Sequence, residues 1–571
     1  MRHDRRLEPN PRHLNRTARA APAVLSVIAV ALATSVAGIL NQFTQDDVAL
    51  IQDSARLHGL ARWREILTSP YWPPPYPQDL YRPVASLLLA MQYALGSGAP
   101  IVFRLASCAL YAAASVAVFK LASRLCSSTV ALAVALLFAV HPVHVEAVTL
   151  AVGQSEIILA LFTAVTVTRY LDLRRSNGGR VPRRDWALLA AVYAAAALTK
   201  EQGLLLPAFL LAAEFFLIDE SPLRARVGRL WKGYAALALV AVVVMLTRVA
   251  VLGGNPIGAD TAEALVGLTL AGRAVTMLQI VPEWLRLLAW PLHLRADYSP
   301  AEFLGSRAFG SREALGLLLL AGAIAVGWFA RRRAPIVSFG LVWSAIALFP
   351  VSNVVFPTGI LIAERTLFLP SIGFLLAVGG AADYLLERKR LPLNWRRVGL
   401  TAGVGALLLA GIARSVLRQR VWHDPQTLSL ASVNDAPRSW RVQHAYGDAL
   451  FDLGRTDEAI AAYQRAIELA REPWWLRNRL ARHLRLIGRD TAALEQLSLS
   501  VAQFPEQTEL IPDLVAALLA VGKYEDARRV ANRVILMTDA PPIMGWLRHV
   551  ADSAIAMRAP AGTIKIGVRY R

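Results

Sequence analysis

Long apolar runs alternate with short polar breaks along the first 415 residues of the chain. A run of about 20 apolar residues is long enough to cross the hydrocarbon core of a bilayer as a helix. The pattern therefore predicts an all-α, polytopic membrane protein with about eleven transmembrane helices. These spans are expected near residues 21–40, 100–120, 129–141, 153–171, 186–199, 203–219, 233–251, 314–330, 336–350, 366–385 and 398–415.

Arginine and lysine cluster in alternate breaks between these runs. Cytoplasmic loops carry such an excess of positive charge, so the basic breaks are assigned to the cytoplasm. The main basic clusters are residues 1–20, 120–124, 174–184, 224–232, 331–333 and 388–397. This orientation places the outer loops 41–99 and 252–313, together with residues 416–571, on the periplasmic side of a bacterial inner membrane or its equivalent.

The first and the second outer loop each contain an apolar stretch that we do not count as a span. In the first loop, Val84 to Leu95 is amphipathic, and in the second the stretch 274–299 is long enough to pass for another crossing. A crossing at 274–299 would move the Arg331 to Arg333 triplet to the outside. We therefore expect 274–299 to form a helix lying on the outer surface. The run 21–40 is too long for the core of a signal peptide and is expected to be an uncleaved first span.

A 34-residue repeat begins after residue 416, where the composition becomes that of a soluble helical domain. The segments "GRTDEA", "GRDTAA" and "GKYEDA" start at Gly454, Gly488 and Gly522, with an alanine at the same place in each. Helix pairs with small residues at this period are typical of tetratricopeptide repeats. The sequence predicts three repeats, near 440–473, 474–507 and 508–541, in a C-terminal domain of residues 416–571.

Composition supports a membrane protein and argues against two other classes. The 571 residues are 55% hydrophobic and only 18% charged, with a mean hydropathy of +0.42. The formal net charge of +20 would suggest nucleic acid if the basic residues formed one patch, but they are dispersed among the cytoplasmic breaks. Two cysteines, Cys108 and Cys126, support neither a disulfide framework nor a cysteine metal site.

Ionisable residues collect at the predicted outer ends of the spans, where an unpaired charge is costly. Asp46 and Asp47 follow the first span in "FTQDDVALI". Adjacent carboxylates after a span are often solvated loop acids, but here several other polar segments share the same side of the membrane. These are "YRP" with Arg82, "HPVHVEAV" with His141, His144 and Glu146, "TKEQG" with Lys200 and Glu201, and "AERTLFLP" with Glu364 and Arg365.

This set of residues suits transfer of a sugar from a lipid-linked phosphate donor to a soluble hydroxyl. Such a reaction needs a base for the acceptor proton and cations for the departing phosphate. Asp46 or Asp47 is the expected base, and Arg365, Lys200 and Arg82 are the expected phosphate-binding cations. His141, His144, Glu146, Glu201 and Glu364 are expected to support them.

Metal binding is left open by the sequence. His141 and His144 have the i, i+3 spacing of a helical ligand pair, but no third ligand follows at zinc spacing. Asp46, Asp47 and Glu146 offer the oxygen ligands that Mg²⁺ or Mn²⁺ prefers.

The chain resembles the tetratricopeptide-containing transmembrane O-mannosyltransferases of the GT-C glycosyltransferase superfamily. The matching stretches are "FTQDDVALI", "YRPVASL", "HPVHVEAV", "TKEQG", "RLLAWPLHLRADYS" and "AERTLFLPSIGF", followed by the repeats. The resemblance implies a donor of mannose, or another hexose, on dolichyl or bacterial polyprenyl phosphate. It also implies inverting transfer to Ser or Thr of exported proteins, which the repeats are expected to hold. It implies that the catalytic acids are Asp46 and Asp47 and that the arginine before the tenth span is Arg365. The high alanine and arginine content suggests a bacterial member with an undecaprenyl-like lipid.

Three other functions compete with this interpretation. A GT-C transferase acting on a lipid or an envelope glycan would share the same site. A membrane-anchored tetratricopeptide scaffold would need no catalytic acids. A transporter is disfavoured because the only ionisable residues considered at mid-membrane depth are Arg104, near a span start, and Glu214, within the sixth span, which are too few for a proton or ion relay.

Overall fold

The computed structural model describes residues 12–176, 179–218, 223–254, 261–298, 303, 305, 309–388, 393–536, 541–564 and 566. Every regular element in these ranges is a helix, so the predicted all-α class is confirmed there. Most of the basic stretch 1–20 lies outside the described residues. The chain divides into two compact units, Met1–Leu428 and Ser429–Arg571, each of which is described by itself.

The first unit contains sixteen complete α-helices in its described part. They are α1 (Arg12–Ser35), α2 (Trp63–Thr68), α3 (Pro83–Gly96), α4 (Pro100–Leu125), α5 (Ser128–Ala139), α6 (Val145–Thr149), α7 (Gln154–Ser176), α8 (Arg183–Thr199), α9 (Leu206–Phe216), α10 (Leu223–Val251), α11 (Leu270–Leu278), α12 (Val281–Ala289), α13 (Ser311–Ala330), α14 (Pro335–Leu348), α15 (Phe368–Arg388) and α16 (Leu393–Val421). A further helix, α17 (Pro425–Asp435), begins in this unit and ends in the second.

A helix lies at each of the eleven predicted spans, but fewer helices are long and apolar enough to cross a membrane. Five described segments meet that condition, and the bent pair α5 and α6 makes a sixth if it is one span. The five segments are Ala21–Gly38, Pro100–Leu125, Arg224–Val251, Ser311–Ala330 and Glu364–Leu386. A polytopic helical protein with five to six apolar spans is thus established, whereas the count of eleven stays a prediction.

The apolar stretch 274–299 of the second outer loop forms two short helices instead of the single helix expected. Helix α11 ends at Leu278 and α12 begins at Val281, with Pro282 in its first turn. Proline lacks the N–H that a continuous helix would need at this point, so it ends one helix and starts the next. Trp284 and Leu287 of α12 are buried in a cluster with Leu361 and Leu367, which lie next to Glu364 and Arg365.

The core of the first unit is formed by buried residues of α1, α4, α5, α6, α7, α8, α9, α10, α14 and α15. Helices α14 and α15 approach most closely at two glycines. A β-carbon on Gly340 would lie 2.4 Å from the carbonyl oxygen of Gly373, so only glycine allows this backbone contact. A second apolar cluster joins the first outer loop, through Phe43, Ile51 and Tyr71, to Trp422 after α16. This cluster packs the loop that carries Asp46 and Asp47 onto the helices.

In its described residues the second unit is a helical solenoid of three consecutive helix pairs followed by a further helix, as expected of a tetratricopeptide fold. The pairs are α18 (Trp440–Asp452) with α19 (Thr456–Leu469), α20 (Trp474–Leu486) with α21 (Asp490–Gln503), and α22 (Ile511–Ala520) with α23 (Tyr524–Ile535), before α24 (Ile543–Ala556). The turns contain Gly454, Gly488 and Gly522, with φ of 73°, 76° and 82°. The repeated alanines Ala459, Ala493 and Ala527 have no exposed surface.

A partly buried acid connects the first two pairs of this solenoid. The carboxylate of Asp448 accepts hydrogen bonds from Tyr463, from Arg479 at 2.8 Å and from Nε2 of His483 at 2.9 Å. Burial alone would raise the pKa of Asp448, but these partners outweigh burial and lower it. His444 lies 3.4 Å from the same carboxylate. Because this histidine is largely enclosed by its neighbours, its pKa falls to about 4 despite the nearby carboxylate.

We expect Gly488→Ala to destabilise the repeat unit by about 1 kcal/mol, because an alanine is strained at positive φ. Gly545→Ala is the matched control, since Gly545 lies within α24 with no atom near its would-be side chain. The control should be neutral or slightly stabilising. The free energy of unfolding of the repeat unit in both variants is measured by urea-dependent proteolysis of the full-length protein in detergent. Equal loss in the two variants would contradict this account of the turn.

The repeat unit should lose stability as the pH falls from about 6.5 to about 4. The folded pKa of His444 is about 4, below its unfolded value, so the unfolded state binds more protons in this interval. Protonation of His444 lowers the free energy of unfolding by at most about 3 kcal/mol. His444→Gln should flatten the pH dependence measured by the same proteolysis, whereas changing the exposed His549 should not. An unchanged slope in His444→Gln would rule out this origin.

Candidate active site

The two adjacent acids of the first outer loop occupy different environments. The backbone enters this segment through Gln45, which has a positive φ of 47°, an uncommon conformation for a residue other than glycine. One turn of π-helix, Val48–Gln52, follows. This local geometry directs Asp46 and Asp47 to different partners, with 32% of the Asp46 side chain exposed and none of the Asp47 side chain.

Asp47 is a buried anchor. Its Oδ2 lies 3.1 Å from Nη1 of Arg104, and its two oxygens accept hydrogen bonds from the backbone N–H groups of Ala151 and Val152 at 2.9 and 3.0 Å. Burial raises the pKa of Asp47, although Arg104 and the two amides oppose that shift. The carboxylate therefore joins the outer loop to α4 and to the segment between α6 and α7.

Arg104 completes this attachment from within α4. It donates to the carbonyl oxygens of Asn41 and Gln42 at 3.2 and 2.7 Å in addition to Asp47, and only 2% of its surface is exposed. A guanidinium has five N–H donors, so one side chain can fix several acceptors of the loop. Arg104, a charged residue inside a predicted span, thus holds the first outer loop in place.

Arg365, just before α15, pairs with both Asp46 and Glu146. The Asp46 carboxylate lies 3.3 Å from Nη2 of Arg365, and Nη1 of the same arginine donates to Glu146 at 2.7 Å. The backbone N–H of Arg365 also donates to Glu146, at 2.8 Å. Glu146 therefore fixes both the main chain and the side chain of Arg365, and Arg365 is shared between a buried and a partly exposed carboxylate.

Glu146 reaches this position because the chain bends between α5 and α6. The two helices are inclined by 45° at a break that contains His141 and Pro142. Proline at this point cannot continue the hydrogen-bond pattern of α5. His141 accepts from Val143 N–H and places Nε2 2.9 Å from the carbonyl oxygen of Leu288.

His144, the other histidine of this segment, lies on the inner side of the bend. Its Nδ1 is 3.1 Å from the hydroxyl of Tyr111, and its Nε2 is 2.9 Å from the hydroxyl of Ser371. The two histidines thus contact different helices. Their partners fix the bend that carries Glu146, and neither residue contacts Asp46.

A second charged group forms where the first outer loop meets the segment after α8. Arg82 donates two hydrogen bonds of 2.8 and 3.0 Å to one oxygen of Glu201, and Arg248 donates to the other oxygen at 2.9 Å. Burial alone would raise the pKa of Glu201, but the two arginines outweigh it and lower the pKa to about 2. Glu201 therefore stays ionised and holds Arg82 in place.

Lys200 pairs with a residue that the sequence analysis did not select. Its ammonium contacts Glu156 in the first turn of α7, and both side chains are buried. Burial lowers the pKa of Lys200, and Glu156 opposes that shift. Arg82 and Arg365 are near enough for their charges to lower the pKa further, so the three predicted phosphate-binding cations share one region.

Glu364 belongs to a neighbouring group. It accepts from the backbone N–H of Arg295 at 2.5 Å and from the hydroxyl of Tyr298 at 3.0 Å, and it lies 3.9 Å from Nη2 of Arg418. These contacts connect the start of α15 to the second outer loop and to α16. Glu364 thus fixes the backbone next to Arg365 without contacting Asp46.

The described residues include no group of three or more histidine, cysteine, aspartate or glutamate side chains arranged to hold a metal ion. The three carboxylates considered for Mg²⁺ or Mn²⁺ have cationic partners instead. Asp46 and Glu146 face Arg365, and Asp47 faces Arg104. A buried carboxylate needs a positive partner, and arginine fills that role here.

Sequence patterns alone do not single out Glu156, Arg248 or Tyr71. Glu156 stands at the start of an apolar run, where it resembles an ordinary helix-end charge, and Arg248 stands near the end of another. Tyr71 was one of several aromatic residues in a proline-rich loop. A charge within two or three residues of a predicted span end was the available signal for Glu156 and Arg248.

Comparison with known protein families gives two matches. Residues 76–247 match the family model described as dolichyl-phosphate-mannose-protein mannosyltransferase. Residues 440–473 match the tetratricopeptide repeat model. The first match includes Arg82, Glu146, Glu156 and Lys200, and the second coincides with the first predicted repeat.

Several curated proteins are similar to the chain over most of its length. Protein O-mannosyl-transferase Tmtc3 of Drosophila melanogaster is 25% identical over 74% of the chain and 52% of its own length. TMTC3 of Mus musculus is 23% identical, over 86% of the chain and 54% of its own length. TMTC4 of Homo sapiens is 27% identical, over 67% of the chain and 57% of its own length.

The chain thus spans about half the length of the curated relatives that it matches. It shares with them a mannosyltransferase-type membrane region, and its own second unit is a tetratricopeptide solenoid. The two family matches and these similarities together support a likeness to the tetratricopeptide-containing O-mannosyltransferases.

Proposed function

We propose that the protein is an inverting glycosyltransferase that moves mannose from a polyprenyl-phosphate-linked donor to Ser and Thr hydroxyls of exported proteins. The observation that carries the proposal is the junction of Asp46, Arg365 and Glu146. It sets a partly exposed carboxylate 3.3 Å from a guanidinium that a buried glutamate holds in place. The names of the relatives and the mannosyltransferase family match support the same reaction class.

Asp46 is the base in this proposal. Inversion by single displacement requires one carboxylate to take the proton of the acceptor hydroxyl while its oxygen attacks C1 of the sugar. The other acids of the region have structural partners, since Asp47 binds Arg104, Glu201 binds Arg82 and Glu156 binds Lys200. Asp46 is less enclosed than Asp47 and is therefore the acid that a protein acceptor reaches.

The leaving phosphate is bound by Arg365, Lys200 and Arg82. The bond between C1 and the phosphate oxygen breaks as the new glycosidic bond forms, so negative charge grows on the phosphate. Each cation has N–H donors beyond those that its carboxylate partner accepts. Glu146 and Glu201 position the arginines, while Glu364, His141 and His144 fix the backbone around them.

The wider organisation follows from the orientation predicted by the basic loops. A domain of residues 21–415 crosses the inner membrane of a bacterium about eleven times and keeps loops 41–99 and 252–313 outside. The repeats in 416–571 lie in the periplasm and hold the protein acceptor, because concave helical arrays suit extended peptides. Helices at all eleven predicted positions and the solenoid fold of the second unit support this arrangement.

Asp46→Asn should reduce transfer by about a hundredfold or more without unfolding the protein, because the amide cannot accept the acceptor's proton. The assay uses purified protein, radiolabelled polyprenyl-phosphate mannose and a periplasmic protein extract. Asp53→Asn is the matched control, since Asp53 is an exposed acid in the same loop. If the parent protein and Asp53→Asn label protein and Asp46→Asn does not, the result supports both the glycosyltransferase class and Asp46 as the base.

Other results would contradict this assignment in distinct ways. Normal transfer by Asp46→Asn would exclude Asp46 as the base. Label in a lipid or glycan fraction instead of protein would favour an envelope-glycan transferase. No transfer by the parent protein from mannose or other lipid-linked hexoses would favour the scaffold.

Asp47→Asn should lower the stability of the membrane unit by about 3–5 kcal/mol, because the buried Arg104 loses its counter-charge. Thermal unfolding of the detergent-solubilised protein measures the loss, with Asp53→Asn again as the control. A donor-saturated assay at low temperature should show residual transfer by the folded fraction. A variant as stable as the parent but inactive would instead make Asp47 the base.

A further inference from the structure

Tyr71 lies in the first outer loop and is fixed by its surroundings. Only 2% of its surface is exposed. Its backbone N–H donates to the carbonyl oxygen of Leu80 at 2.6 Å, and its own carbonyl accepts from Nη2 of Arg56 at 2.6 Å. The ring belongs to the apolar cluster that holds the loop against the helices. Its hydroxyl is therefore held at one place.

The hydroxyl of Tyr71 is buried but has no hydrogen-bond partner among the described residues. The nearby Tyr81, also buried, donates from its hydroxyl to the carbonyl oxygen of Leu67 at 2.8 Å. Leaving a buried hydroxyl unpaired is costly, and most buried polar groups are paired. An unpaired hydroxyl at a candidate active site suggests that its partner is a ligand.

Several charged side chains of the candidate site lie around Tyr71. The guanidinium of Arg82 lies over the Tyr71 ring, 5.1 Å from its centre. Arg365 and Asp46 are also near enough for their charges to influence the phenol. Tyr71 is thus located among two of the proposed phosphate-binding cations and the proposed base.

We propose that the hydroxyl of Tyr71 donates a hydrogen bond to a phosphate oxygen of the lipid-linked donor, between Arg82 and Arg365. This inference rests on the proposed function and adds one residue to its donor site. In the transfer step, the acceptor oxygen bonds to C1 and its proton goes to Asp46. The C1–O bond breaks with its electron pair on the phosphate, and the Tyr71 hydrogen bond strengthens as that charge develops.

Tyr71 acts as a donor and not as a base. Burial raises the pKa of its phenol well above the usual value, so the hydroxyl keeps its proton at neutral pH. A neutral phenol adds a hydrogen bond to a phosphate without adding a charge. This suits a site whose cations already have carboxylate partners, because further positive charge would need further compensation.

The test is Tyr71→Phe in the full-length protein, because this change removes the hydroxyl and keeps the packed ring. We expect kcat/KM for the lipid-linked donor to fall by about ten- to a hundredfold, the size of one hydrogen bond to a charged group. Stability should be unchanged or slightly higher, since an unpaired polar atom is removed. The pH profile of kcat/KM should keep its shape, because the phenol does not titrate in the working range.

Tyr81→Phe is the matched control from the same loop. It removes a hydroxyl with a protein partner at 2.8 Å, so it should lower stability and leave the kcat/KM of the folded protein within about twofold of the parent. A second readout is the binding of polyprenyl phosphate without sugar to each variant. Tyr71→Phe should weaken this binding by about tenfold, and Tyr81→Phe should not.

The outcomes separate this inference from the proposed function. Transfer by the parent protein with unchanged kcat/KM and lipid-phosphate binding in Tyr71→Phe would overturn the inference alone. Reduced transfer with unchanged binding of polyprenyl phosphate would place the contact on the sugar and overturn the phosphate assignment. Failure of the parent protein to transfer any lipid-linked hexose would overturn the proposed function itself.

Discussion

The buried ion pair of Asp47 and Arg104 attaches the first outer loop, which carries Asp46, to helix α4. Arg104 projects from an apolar helix, and Asp47 lies in an outer loop that has little regular structure of its own. Two charges removed from water attract strongly, but removing either one leaves the other at a cost of several kcal/mol. The loop is therefore held in one position, and the location of Asp46 follows from it.

A similar constraint organises the repeat unit. Asp448 of α18 accepts hydrogen bonds from Tyr463 of α19 and from Arg479 and His483 of α20. In both units one carboxylate connects separate elements of the chain. A carboxylate accepts several hydrogen bonds at once, so one acid can define the positions of several helices. The charges that look exceptional in an apolar sequence are those that fix its tertiary structure.

The same need for pairing shapes the chemistry of the candidate site. Arg82, Lys200 and Arg365 each face a carboxylate, which keeps the region close to electrical neutrality before a donor binds. Their partners hold the cations where a phosphate can meet several of them together, and such preorganised charges stabilise a charge that develops during a reaction. Asp46 has the most exposed side chain of the paired acids in the candidate site, 32% against 26% for Glu201, and it shares its arginine with Glu146.

The sequence by itself determined the positions of the helices, the tetratricopeptide period and the candidate acids and cations. Hydropathy and the 34-residue repeat are local patterns, and helix formation and pair stacking follow from them directly. Tertiary structure alone decided that Asp47 is an anchor and Asp46 is partly open, that Lys200 pairs with Glu156, and that Tyr71 lies beside Arg82. The physical reason is that burial and charge pairing depend on which distant segments meet. Two neighbouring aspartates look equivalent along the chain until one of them meets an arginine that follows it by 57 residues.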